Sequence, residues 1–329
     1  MKYFICILFV FVPIISFSQL SEKVNNLYLQ LNSENQSKNK EFGYGVMESE
    51  DYKKCEDINK IANDIEILYM AENGNKIIKS YMSNHLVKRK SNKIIDLFKT
   101  YLYNDEEVWA QMGCTGQNSS IAGELYSYIF YENEKIENIK YNKEHYSSKE
   151  IKENGFENKT KWTKPEIDSL LVSINKLVIN YDLILPITIN QIFRLNDYKF
   201  ENYERVKYFA YKNPTRETLA TLASYQNQDD LPFLLKNNSL SFLAISKFPD
   251  ASFLTLLKEK NEKEYENVDF INAISSICSK DSEILKRNLL EHFSSSHDFD
   301  AREFLDYCFE ALSKYKCDFN SQLIELYKR

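Results

Sequence analysis

The sequence predicts an all-α protein, an α-solenoid of stacked antiparallel helical hairpins. Three observations predict it: a long stretch without glycine, a helical period in the apolar residues, and a short pattern that recurs through the C-terminal half.

All seven glycines fall between Gly43 and Gly155, and residues 156–329 contain none. Sheet-rich and nucleotide-binding domains use glycine for tight turns and phosphate loops, so its absence suits short helices joined by polar turns. The period agrees. Thr163 and Glu166 have capping-box spacing with Pro165 in the first turn, and Ile167, Leu170, Leu171, Ile174, Leu177 and Val178 mark one helical face behind them.

The recurring pattern is Ala, an aliphatic residue, Ser, any residue, then a large apolar one. It reads Ala244-Ile245-Ser246-Lys247-Phe248, Ala273-Ile274-Ser275-Ser276-Ile277 and Ala311-Leu312-Ser313-Lys314-Tyr315, with a near copy at Leu222-Ala223-Ser224-Tyr225. An aspartate follows each copy (Asp230, Asp250, Asp281, Asp318), and then a second apolar segment such as LPFLLK or ASFLTLLK. The implied unit is a helix with small residues on its packing face, a turn capped by Asp, and an amphipathic partner helix. Successive units start roughly 20–40 residues apart, a period at which helical hairpins stack.

The segments NPTRETLATLASYQNQDDLPFLLK and LSFLAISKFPDASFLTLLKE carry a resemblance to HEAT-like repeat proteins exported by bacteria of the Bacteroidetes type. In the front half NGNKIIKSYMSNHLVKRKSNKIIDLFKTYLYNDEEV is similar, with Ile77, Ile78, Tyr81, Met82 and Leu86 inward on one helix and Ile94, Ile95, Phe98, Tyr101 and Leu102 inward on the next. The resemblance covers about half the chain, and it implies a non-catalytic binding scaffold. Residues 132–164 break the series with KIENIKYNKEHYSSKEIKENGFENKTKW, expected as a charged insertion or linker.

The chain opens MKYFICILFVFVPIISFSQL. One lysine, an apolar run from Tyr3 to Ile15 and small residues at Ser16 and Ser18 predict a signal peptide over residues 1–18, too short to span a bilayer. Its removal takes away Lys2 and moves the net charge from −6 to −7. No integral span is expected in the mature protein, which is read as exported, periplasmic or extracellular. The domain reading is residues 19–131, an N-terminal helical region with one or two hairpins; 132–164, the insertion; and 165–329, a C-terminal stack of four or five hairpins.

An acidic exported chain is not expected to bind nucleic acid, and Lys88-Arg89-Lys90, the strongest basic cluster, reads as a solvated helix end. Cys55, Cys114, Cys278, Cys308 and Cys317 remain after cleavage, with no C-x-x-C pair for zinc; export permits one or two bridges, and a Cys308–Cys317 pair is left open. Gly43-Tyr44-Gly45 has Glu48 at the third glycine position of a dinucleotide loop, and no Gly-Lys dipeptide exists for a P-loop. No cofactor or metal is expected. His292 and His297 do not share a helical face, so Ser294 to Ser296 read as an inter-helix loop, with Asp298 or Asp300 capping the next helix.

Gly113-Cys114-Thr115-Gly116 is the one place for a nucleophile on a tight turn. A cysteine hydrolase would need His85 or His145 as base, and the strand that precedes such an elbow is not evident in EEVWAQM. The favoured expectation is that Gly113 and Gly116 end one helix and that Ser119 or Ser120 caps the next. Tyrosine, at 23 residues, is in excess, and DYKFENYERVKYFAYKN concentrates it. Tyrosine gives large contact area with a polar tip, so Tyr203, Tyr208 and Tyr211, with Cys114, are the candidate binding surface.

The functional expectation is a non-enzymatic exported scaffold for a protein or peptide. The alternatives are an exported hydrolase at Cys114 and a structural or immunity-like component of a secreted assembly.

Overall fold

The computed structural model describes residues 20–33, 43–44, 50–112, 115–156, 159–237, 241–260, 264–296 and 299–328. The expected signal peptide lies outside them. The protein is all-α apart from one small sheet, and it divides into two compact units, Met1–Thr188 and Ile189–Arg329.

The first unit contains α1 (Glu22–Ser33), β1 (Gly43–Tyr44), α2 (Glu50–Ile61), α3 (Asp64–Asn73), α4 (Lys76–Lys88), α5 (Ile94–Tyr103), β2 (Glu107–Met112), β3 (Thr115–Ser120), α6 (Ile121–His145), α7 (Ser148–Glu153) and α8 (Lys164–Ile179). Asparagines start two of these helices. Asn63 Oδ1 accepts from the Ile65 and Glu66 amides, and Asn75 Oδ1 from those of Ile77 and Ile78, so donors that no helical carbonyl can reach are satisfied. Helix α4 packs on α3, α5 and α6, with Ile78, Tyr81, Met82 and Leu86 buried as the period predicts. In α5, Phe98, Tyr101 and Leu102 are buried while Ile95 faces solvent.

Lys88-Arg89-Lys90 does end a helix, but it is a clamp as well as a solvated end. Arg89 bonds the Ala62 carbonyl, Asn59 and Asp64; Lys88 meets Glu56; and Lys90 pairs with Glu166 at 2.5 Å. The stretch expected as an insertion begins inside α6, whose helix continues to His145, and α7 follows with its own capping box at Ser147 and Glu150. Gly155, at φ 67°, supplies the left-handed residue after α7.

One expectation about elements is overturned. The residues before Gly113 are a strand, not a helix: β2 pairs antiparallel with β3 from Glu107 opposite Ser120 to Met112 opposite Thr115, and β1 pairs parallel with the end of β2. Val108 is buried and Trp109 is exposed, the alternation of a half-buried strand. Ser120 then caps α6, its Oγ accepting from the Gly123 amide at 3.0 Å, as one of the two serines was expected to.

The division between the units falls inside α9 (Pro186–Leu195). The second unit continues with α10 (Tyr203–Lys212), α11 (Arg216–Ala223), α12 (Leu231–Lys236), α13 (Phe242–Lys247), α14 (Leu254–Lys260), α15 (Val268–Ser276), α16 (Lys280–Ser295), α17 (Phe299–Lys314) and α18 (Asp318–Tyr327). Helices α11, α13, α15 and α17 pack each on the next, and so do α14, α16 and α18. The four copies of the recurring pattern fall at the ends of the first series. Ala223, Ala244, Ala273 and Ala311 are all buried, and small residues there let neighbouring helices approach.

The aspartates do not all cap. Asp250 does, accepting from the Ser252 amide at 2.8 Å; the buried Asp230 makes no cap bond and pairs with Lys207 instead, Ser279 caps α16, and Cys317 occupies the cap position of α18. Ser294 and Ser295 belong to α16, not to a loop, because their hydroxyls bond back to the Leu290 and His292 carbonyls. With glycine absent, the left-handed positions fall to Asp197, Tyr198 and Gln226 at φ 49°, 59° and 53°. One disulfide joins Cys278 to Cys317 across the turns before α16 and α18, at a Cα separation of 5.8 Å; Cys308, considered as a partner of Cys317, is buried and free.

Candidate functional site

Cys114 lies outside the described residues, between β2 and β3 in sequence. The two histidines named as its possible base are engaged elsewhere. His85 is 2% exposed, and burial, then the Lys88 charge, push its pKa down to about 4, so it is a neutral ring inside the first unit. His145 stacks on Tyr141 at 4.0 Å between ring centroids, and its Nδ1 lies 2.8 Å from the Tyr141 carbonyl.

The three tyrosines of α10 share one helix but not one role. Tyr203 is bound on several sides: its hydroxyl donates to the buried Asp230 at 2.7 Å, while Asn227 and Lys207 donate to its oxygen. Lys207 also pairs with Asp230 at 2.9 Å, which raises its pKa. This network ties α10 to the turn before α12. Tyr208 lies under Arg205 and takes a hydrogen bond from Lys212, while Tyr211 is exposed and stacked on Phe233 of α12 at 3.8 Å. Tyr208, Tyr211 and Phe233 therefore present surface to solvent, and Tyr203 braces them.

A second surface is concave. Helices α16 and α18 and the segment before α15 wall an open groove of about 540 Å³, lined by Tyr265, Asn288, Glu291, His292, Ser294, Ser295 and Tyr327. Asn288, Glu291, His292 and Ser295 share the polar face of α16 because they are spaced by three and four residues. Tyr265 forms the floor, 4% exposed, its ring centroid 4.9 Å from that of His292. Tyr327 donates to Glu291 Oε1 at 2.8 Å. Burial and then that bond raise the tyrosine pKa, and the bond holds the carboxylate on the groove wall.

Of the candidate metal residues, His292 lines this groove, while His297 and Asp298 lie outside the described residues. Among the described residues no group of three or more His, Cys, Asp or Glu side chains is placed to hold a metal, and no helix is long and apolar enough to cross a membrane. Sequence reasoning missed Asn288, Glu291 and Tyr327. The spacing on α16 was a readable signal, but nothing in it says that α18 lies alongside.

No protein-family model, curated protein or solved structure matches the chain.

Proposed function

We propose that the chain is an exported, non-enzymatic α-solenoid of HEAT-like type that binds a protein or peptide. One observation carries the reading: in the second unit, alternate helices pack in two successive series, and the same small-residue pattern sits at each step of one series. Repeats that contact mainly their neighbours make extended surfaces, and such surfaces suit recognition better than a closed, water-free catalytic site. The Cys278–Cys317 disulfide supports an oxidising compartment, and with it the signal peptide expected at residues 1–18. The exposed rings of α10 and the α16/α18 groove are the surfaces that fit the role.

The test is a crosslinking pull-down from the envelope fraction of the native source, with the mature chain and its Cys114→Ala variant in parallel. One partner recovered equally by both supports the scaffold. Recovery of no partner by either, or loss of the partner only with Cys114→Ala, counts against it and restores the hydrolase alternative.

A further inference from the structure

We propose that the α16/α18 groove receives a lysine or arginine side chain of an extended peptide, with its cation on the Glu291 carboxylate. This rests on the binding reading above and narrows the partner's chemistry.

Tyr327 spends its hydroxyl hydrogen on Glu291 Oε1, Ser294 spends its own on the Leu290 carbonyl, and Ser295 on the His292 carbonyl. The two serine oxygens keep acceptor capacity, the Tyr327 oxygen takes a hydrogen bond from Arg287, and Glu291 Oε2 has no partner among the described residues. A lining of spent hydroxyls and a carboxylate is rich in acceptors. A ligand with several donors and a positive charge complements it, and ammonium and guanidinium groups are the peptide side chains of that kind.

Three further features point the same way. The Tyr327 ring lines the groove next to the carboxylate it bonds, and an aromatic face attracts cations while the apolar stem of lysine or arginine packs along it. Asn288 lies one turn from Glu291 on the same face of α16, with both a donor and an acceptor for a peptide amide. The chain carries a net charge of −6, which favours approach of a cationic segment. Arg287 bonds the Tyr327 hydroxyl at the edge of the site, and Glu283 compensates its charge at 3.0 Å. An acidic side chain in the groove would face Glu291, and the Arg287 guanidinium that could receive it is already engaged by Glu283 and Tyr327.

The experiment uses the mature chain, residues 19–329, with its disulfide intact. Four acetylated and amidated peptides, Ser-Ala-Ser-X-Ser-Ala-Ser with X as lysine, arginine, norleucine or glutamate, are titrated by calorimetry to millimolar concentration. The lysine and arginine peptides are expected to bind about tenfold tighter than the other two, as a hydrogen-bonded charge pair warrants. Glu291→Gln should abolish that preference, and Tyr327→Phe should reduce it by about threefold by freeing the carboxylate rotamer. Unchanged thermal unfolding of both variants would tie these losses to the site. Equal binding of all four peptides, no binding of the basic pair, tighter binding of the glutamate peptide, or a preference that survives Glu291→Gln would overturn the proposal. A protein partner captured equally by wild type and Glu291→Gln would overturn it while leaving the scaffold standing, whereas absence of any partner and any peptide binding removes both.

Discussion

Lys286 donates to Asn320 Oδ1 at 2.7 Å across 34 residues of chain, and both side chains are buried in the second unit. The same ammonium donates to the Ile277 carbonyl at 2.7 Å, and the Asn320 amide reaches the carbonyls of Ser275, Leu312 and Tyr315. The pair thereby closes the carbonyl ends of α15 and α17 beside the disulfide. Burial pushes the Lys286 pKa down from 10.5 to about 8. Between these values the unfolded chain binds the proton that the folded chain has released, so stability should rise with pH from about 8 to 10.5 and fall as pH drops through 8. Lys286→Met should flatten that window. Urea midpoints at pH 7.5, 9 and 10 for wild type and variant check it; parallel pH slopes would refute the role given to the amine.

The disulfide closes a separation of 39 residues. In the chain-entropy relation a loop of that length contributes about 4 kcal/mol, and Cys278→Ser with Cys317→Ser should lose most of it. The remaining thiols give a second readout. Cys55 and Cys308 are buried, and burial pushes the Cys308 pKa up to about 12, so neither should react with iodoacetamide in the native mature chain. Any native labelling then marks Cys114, and mass spectrometry of the digest decides it. Modification at Cys308 without denaturant would show that the α17 packing is wrong.

What was legible in the sequence was local. The Ala-aliphatic-Ser pattern marks buried helix contacts because small residues at fixed spacing have one physical use on a helix, and Thr163 with Glu166 starts α8, Glu166 Oε2 accepting from the Thr163 amide at 2.9 Å. What was hidden was decided by partners distant in sequence. TGQNSS in β3 has no strand alternation of its own and takes its conformation from pairing with β2. Cys278 could be matched to Cys317 only once the turns before α16 and α18 were side by side. Aspartate before an apolar run has the pattern of a cap, yet Tyr203 and Lys207 reach Asp230 from another helix and take its side chain as their partner.

Gln226 holds φ at 53° in an exposed position after α11, with its amide bonded to the Ala223 carbonyl. A left-handed backbone costs a residue with a Cβ roughly 1–2 kcal/mol, and glycine returns part of that as extra freedom of the unfolded chain. Gln226→Gly should therefore stabilise the protein by about 0.5 kcal/mol, while Gln226→Val, β-branched, should destabilise it by at least about 1 kcal/mol. Chemical denaturation of the two variants gives both signs. A loss of stability in the glycine variant would mean that the Gln226 side-chain bond to the Lys247 carbonyl outweighs the backbone strain.

His85 gives the first unit an acid limit. Its buried ring is only weakly engaged by the Cys55 backbone, and Glu56 Oε1 stands 3.8 Å from Nε2 with Lys88 and Arg89 as the neighbouring cations. With the folded pKa near 4 and the unfolded value near 6.5, the stabilisation is complete above pH 6.5 and is lost as pH falls toward 4. Trp162 reports on this region, because its indole Nε1 donates to the carbonyl of Val87, two residues from His85, at 2.9 Å. In a Trp109→Phe background the Trp162 emission follows the first unit alone. His85→Phe should shift the acid transition of that emission to lower pH and leave stability at pH 7 unchanged or higher, since it removes poorly satisfied buried polar atoms and keeps an aromatic ring. An acid transition identical to that of the His85-containing parent would place the acid sensitivity on another group, with Glu66, a buried carboxylate that the Ser21 and Asn63 amides hold below the usual range, the next to vary.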